Sequence, residues 1–214
     1  PIAVDGILAT QLWEKRAGIL TSATLPKNTA ARLGLPEATT TLDVGSPFDY
    51  EQNALLYCPV DLPDPRAADH KDAQLAQIES LIIAAGGRTL GLFTSLAAMR
   101  DAAERLGPRL PWPVLVQGEG SKGALLDQFV AEPETSLFAT MSFWQGVDAP
   151  GATCSLVIID RLPFPRPNDP VLQARRDRAG KSAFRTIDLP RAATLLAQGA
   201  GRLIRSTTDR GVVA

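Results

Sequence analysis

From residue 54 onward, apolar residues follow two alternating rhythms. Short unbroken runs fill residues 54–58, 89–93, 114–116, 136–140 and 155–159, without the polar alternation of a strand that has one wet face. Such runs predict strands buried on both sides. Between them the apolar residues return every three or four positions, the helical rhythm. Leu75, Ile78, Ile82 and Ala85 share one helix face, which Gly86-Gly87 closes. Leu96, Met99, Ala103 and Leu106 share another, with Thr94-Ser95 as its N-cap, and Leu125, Leu126, Phe129 and Val130 mark a third. Strand and helix in alternation predict a three-layer α/β domain with a mainly parallel sheet. The run Gly211-Val212-Val213-Ala214 reads as the first half of a further strand.

The flanks lack this rhythm. Leu8, Leu12 and Trp13 give residues 1–25 an amphipathic start, and Gly18-Ile19-Leu20 reads as a short strand emptying into Thr21-Ser22-Ala23-Thr24. Residues 30–50, rich in Thr, Gly and Pro, read as a connector. We therefore expect one piece over 1–45 and a second domain over 46–214. Residues 161–167 hold too many prolines for sheet or helix and lead into a basic helical segment with Arg175, Arg176 and Arg178. Residues 161–188 are expected to form a surface excursion, long enough to suggest a function.

After that excursion, Gln198-Gly199-Ala200-Gly201-Arg202-Leu203-Ile204-Arg205 puts an amide and two guanidinium groups on what reads as one short helix. At about 100° per residue, Gln198, Arg202 and Arg205 fall within roughly 60° of one another. Beside them Ala192, Leu195, Leu196, Gly199 and Leu203 form an apolar stripe. The cationic edge either forks onto phosphate oxygens, as paired arginines do, or is solvated surface.

Composition narrows the partners. The chain has 214 residues, 45% hydrophobic and 21% charged, with a net charge of -1. That suits a folded domain and excludes a generally basic nucleic-acid coat, so a polyanion would have to meet a local patch. Cys58 and Cys154 are far apart with a single histidine, His70, so no zinc site or disulfide framework is indicated; both thiols are expected buried and His70 solvated. No run is long enough to span a bilayer and no signal peptide is present, so a cytoplasmic protein is expected. Both ends look cut, as in part of a longer chain.

Two apparent motifs fail. Gly180-Lys181-Ser182 has the tail of a phosphate-binding loop, but Arg175 stands where a glycine is required and no strand precedes it. Val157-Ile158-Ile159-Asp160 resembles a strand ending in a magnesium-binding acid, yet has no such loop to work with. There is neither a dinucleotide fingerprint nor a convincing nucleophile, which disfavours a small-molecule enzyme. What remains is a polar cluster after each of three strands: Thr94-Ser95, Gln117 to Lys122, and Ser142 to Asp148. In a parallel sheet these share one edge, where phosphate-rich ligands bind.

Ser22-Ala23-Thr24, Leu92-Phe93-Thr94-Ser95, Trp144-Gln145-Gly146-Val147-Asp148 with Pro150-Gly151, and the Gln198 to Ser206 stretch occur in the order of motifs III, IV, V and VI of superfamily 2 DNA helicases. Together with Arg161-Leu162-Pro163-Phe164-Pro165 and Leu189-Pro190-Arg191-Ala192, the chain resembles the DinG branch of the XPD-like family over essentially its whole length. The resemblance implies the second RecA-like domain of a 5′ to 3′ motor, a P-loop NTPase-type fold without its own P-loop, preceded over 1–45 by the tail of the first. Arg202 and Arg205 with Gln198 match the motif that reaches ATP across the interdomain cleft. Asp148, Gly146 and Gly201 would bind or couple the nucleotide. Thr94, Ser95, Ser22 and Thr24 would serve single-stranded or forked DNA, with Gln117, Lys122 and Trp144 as further DNA-side candidates. Each has a plainer alternative: Trp144 packing the core, Lys122 solvated at a helix start, Asp148 capping a turn. ATP and Mg2+ would be held mainly by the upstream RecA-like domain, where any iron–sulfur cluster would also lie; no metal site and no membrane contact are expected here. A bacterial, nucleoid-associated helicase is implied. The competing reading is a non-catalytic module that binds nucleic acid or protein through the same edge.

Overall fold

The computed structural model describes residues 2–26, 28–140, 143 and 153–214. The chain divides into two compact units, Pro1–Gly45 with Pro163–Ala197, and Ser46–Leu162 with Gln198–Ala214.

The second unit contains a six-stranded sheet in the order β1-β6-β5-β2-β4-β3, formed by β1 (Ala54–Leu56), β2 (Thr89–Phe93), β3 (Val114–Val116), β4 (Ser136–Thr140), β5 (Leu156–Ile159) and β6 (Gly211–Val213). Every pairing is parallel. All five residues of β2 are buried, because the strand has neighbours on both sides and a helix packed over it. Helix α4 (His70–Ala85) buries Leu75, Ile78 and Ile82, and α5 (Leu96–Leu106) buries Met99, Ala102 and Leu106. With Phe93, Phe138, Leu156 and Ile158 these form one core, in which the Phe93 and Phe138 rings lie 5.3 Å apart. Helix α6 (Lys122–Ala131) adds Leu125 and Phe129. Gly86 ends α4 in the left-handed conformation at φ 67°, as a glycine stop should.

The tail run expected to begin a strand does so, and β6 lies inside the sheet, between β1 and β5. Gly211 is required there, since a Cβ would run into the Ser155 carbonyl and Leu203. Several expectations need correction. Leu96 is exposed, because it is the first residue of α5 and has no preceding turn to lean on, and Ala102 takes the buried place expected of Ala103. Val130 is likewise exposed. Strand β1, which follows the short helix α3 (Tyr50–Asn53), stops at Leu56, leaving Cys58 exposed beyond it. His70 is the first residue of α4 and half-buried, its Nδ1 2.7 Å from the Pro63 carbonyl.

The regular elements of the first unit, where described, are all helical. Helix α1 (Asp5–Leu8) continues as a π-helix, Ala9–Trp13, and Trp13 Nε1 donates to the Leu33 carbonyl at 2.7 Å at the end of α2 (Thr29–Leu33). No strand forms at residues 18–20, where Ile19 is 93% exposed. A strand needs a ladder partner, and none of the described strands takes this segment up. The 161–188 excursion is more ordered than its prolines suggest. Asp169 caps α7 (Pro170–Ala179) by accepting from the Val171 and Leu172 N–H groups, with Pro170 in the first turn where its missing N–H costs nothing. A 3-10 turn, Gly180–Ser182, a π-helix, Phe184–Asp188, and α8 (Leu189–Ala200) follow. Among the described residues no helix is long and apolar enough to cross a membrane.

Candidate functional site

At the carboxyl edge of the sheet, Thr94 leaves β2 and Asp160 leaves the neighbouring β5. The Asp160 carboxylate joins the two strand ends, accepting from the Thr94 N–H at 2.7 Å and from the Thr94 hydroxyl at 3.3 Å. Its carbonyl accepts from Gln74 Nε2 at 2.9 Å. Burial pushes the Asp160 carboxyl above its ordinary pKa, and the bonds from Thr94 oppose that rise. A cavity of about 130 Å³ opens beside it, lined by Gln74, Phe93, Asp101 and Arg161 among others. Ser95 then caps α5 through the Ala98 N–H, so Thr94-Ser95 sits at a helix N-terminus, where free amide groups suit an anion.

Two strands along, the same construction recurs. Gln117 leaves β3, and its Oε1 accepts from both the N–H and the hydroxyl of Thr140 at the end of β4, at 2.7 and 2.9 Å. Ser121 caps α6, and Lys122 Nζ lies 4.9 Å from the Phe143 ring centre. The structure therefore brings Thr94, Ser95, Gln117 and Lys122 to one edge. Gln117 spends its amide oxygen on tying β3 to β4, which leaves its NH2 group as the part able to meet a ligand.

The arginine stretch is built differently. Helix α8 ends at Ala200, so Gln198, Arg202 and Arg205 do not share a helix face as expected. Gly199 and Gly201 weaken the helix where it would have to continue. The chain turns instead, with the Arg202 N–H bonded to the Gly199 carbonyl and the Leu203 N–H to Ala200, both at 3.1 Å. Leu203 and Ile204 are buried and pin the turn. Asp209, 5% exposed, accepts from the Arg205 and Ser206 N–H groups at 2.8 Å each and from the Ser206 hydroxyl at 2.6 Å. The chain then enters β6.

This turn lies at the amino edge of the sheet. Arg205 and Asp209 both act electrostatically on Cys154, just ahead of β5, and burial pushes that thiol up to about 12. Arg205 and Thr94 thus serve opposite edges of one sheet. Sequence reasoning missed Asp209, whose signal is a Ser-x-x-Asp spacing of a turn whose side chains bond to backbone. It set Asp160 aside for lack of a nucleotide loop, although a carboxylate at a strand end has neighbouring strand ends within reach.

The remaining candidates fall elsewhere. Ser22 and Thr24 belong to the first unit, in a turn where the Thr24 N–H donates to the Ser22 hydroxyl at 3.2 Å. Gly201 lies half-buried in the turn after α8. Trp144, Gly146 and Asp148, with Ser142, lie outside the described residues. Among the described residues no three His, Cys, Asp or Glu side chains gather as metal ligands.

Residues 78–214 match the family described as the helicase C-terminal domain, a span that holds both edges of the sheet. The chain belongs to that family. It is similar throughout its length to the ATP-dependent helicase DinG of Mycobacterium tuberculosis, with 49% identity over 100% of this chain and 34% of the relative. The ATP-dependent DNA helicase YoaA of Escherichia coli is 46% identical over 91% of this chain and 32% of its own length. The chain thus spans about a third of the curated relatives it matches. In fold it is similar to the solved structure of S. tokodaii Xpd4, at a TM-score of 0.61 with 14% identity, over 89% of this chain and 38% of that one. The helicase C-terminal domain here is a mainly parallel α/β sheet of the XPD-like kind.

Proposed function

We propose that this chain is the C-terminal motor domain of a DinG-type, ATP-dependent 5′ to 3′ DNA helicase acting in DNA repair or replication in the bacterial cytoplasm. The observation that carries the reading is the anchored Arg205. Its backbone N–H is held by a buried carboxylate on a short turn, which fixes the point from which the side chain extends, and a cation carried from a fixed point suits the charge that develops on a phosphoryl group. The whole-length similarity to helicases that their names describe as ATP-dependent supports the choice of nucleotide.

In this reading Arg202 and Arg205, with Gln198, reach the γ-phosphate of an ATP held, with its Mg2+, by an upstream RecA-like domain. An arginine supplied in this way contributes roughly 10³ to 10⁵ in turnover, because charge spreads over the phosphoryl oxygens. Gly201, Gly146 and Asp148 bind or couple the nucleotide. Thr94 and Ser95 take a phosphate of single-stranded or forked DNA at the N-terminus of α5, and Gln117, Lys122 and Trp144 extend that contact. Ser22 and Thr24 couple nucleotide state to strand grip. Any iron–sulfur cluster belongs upstream, in the region that would also supply the nucleotide loop.

The full-length protein should hydrolyse ATP faster when single-stranded DNA is added and should displace a strand from a duplex with a 5′ tail. The 214-residue chain alone should turn over no ATP. Hydrolysis by this chain alone, or strand binding by the full-length protein with no ATP turnover, would overturn the proposal, the latter in favour of a binding module.

A further inference from the structure

The 163–197 segment carries a feature that neither edge of the sheet uses. Phe164 and Phe184 stack on each other, with ring centres 5.7 Å apart and planes 28° apart. Both are exposed, at 41% and 55%, so the stack keeps open ring surface. Their backbone is constrained: Phe164 lies between Pro163 and Pro165, which restrict its freedom. Phe184 opens the π-helix Phe184–Asp188, a rare conformation often found at functional sites. Arg176 on α7 grips Asp188 with three bonds of 2.8 to 3.1 Å and ties that π-helix down. Rings held in place before a ligand arrives lose little entropy on binding.

The surroundings are cationic. Residues 163–197 hold seven Arg or Lys against three Asp, a net of 7 − 3 = +4 in a chain whose total is -1. Asp188 is engaged with Arg176, while Asp177 accepts from Gln173 and Asp169 caps α7, so each acid has a structural use. Open aromatic faces amid excess positive charge match unpaired bases on a phosphate backbone. A duplex hides its base faces and a purely anionic ligand has no use for rings, so the chemistry selects a single strand. We infer that Phe164 and Phe184, set in this basic segment, form a base-stacking platform for single-stranded DNA. The platform rests on the helicase reading above and shares no residue with the Thr94 edge.

The test uses the full-length protein, with an oligothymidylate and an abasic strand of equal length, which has the same charge without the bases. Wild type should prefer the oligothymidylate. Phe164→Ala with Phe184→Ala should weaken oligothymidylate binding roughly 5- to 150-fold while leaving abasic binding and its salt dependence unchanged, because no cation is lost. Phe164→Tyr and Phe184→Trp should restore the preference, and the new tryptophan should be quenched by the oligothymidylate alone. An unchanged preference in the double alanine variant, or equal losses on both strands, would overturn the platform. No single-strand binding by wild type would instead overturn the helicase reading itself.

Discussion

The two edges of the sheet solve opposite problems with the same residue type. At the carboxyl edge Asp160 bridges two strands, half-buried beside a cavity, and holds Thr94 at the start of a helix. At the amino edge Asp209 is buried and folds the chain back on itself, holding the backbone of Arg205 and Ser206. One carboxylate aligns separate elements, taking up the N–H and the hydroxyl of Thr94 so that one strand end is fixed against its neighbour at the start of a helix. The other makes a short turn rigid enough to carry a single cation. A surface that follows a polymer backbone calls for the first arrangement, and a group aimed at one phosphoryl centre calls for the second.

The largest structural effect should come from the amino edge. Asp209→Ala removes an acceptor from three donors at once and should cost about 3 kcal/mol, because buried N–H groups are left unsatisfied; a lowered midpoint in urea unfolding would show it. A loss no greater than that of an exposed substitution would break the contrast between the edges.

The carboxyl edge should respond to pH instead. Because burial raises the Asp160 pKa, the folded chain keeps a proton that the unfolded chain has already released. That contribution to stability is full at low pH and is lost as pH rises through the raised value. Wild type should therefore gain stability relative to Asp160→Asn as pH falls from neutral, seen in paired unfolding curves. A constant difference between the two would remove the burial argument.

The smallest effect sharpens the picture of the amino edge. Iodoacetamide should label exposed Cys58 in the folded protein and leave Cys154 untouched, since the latter is buried with its thiol pKa at about 12. In Asp209→Ala, Cys154 labelling should quicken as the turn loosens; peptide mass mapping distinguishes the two sites.

The carboxyl edge was largely legible in the sequence, because it follows from where strands end. Unbroken apolar runs locate β2 to β5, and hydroxyl or amide residues directly after them must lie on one side of a parallel sheet. Thr94, Ser95 and Gln117 could be placed in that way. The bond from Thr94 to Asp160 could not, since it spans 66 positions and depends on the order of strands across the sheet, which periodicity does not encode. The amino edge was misread for a local reason. Gln198 to Arg205 keeps helical spacing of its apolar residues beyond the point where two glycines and the Asp209 turn end the helix. The 18–20 run failed because a strand signal carries no information about a partner.

The division between the edges is tested most directly by measuring ATP turnover and single-strand affinity together in two full-length variants, Arg205→Ala and Thr94→Val. A crossed result is expected. Arg205→Ala should lower kcat by roughly 10³ or more with strand affinity nearly unchanged, and Thr94→Val should weaken strand binding about 5- to 10-fold while kcat at saturating DNA holds. Near-normal turnover in Arg205→Ala, or the same pattern of loss in both variants, would contradict it.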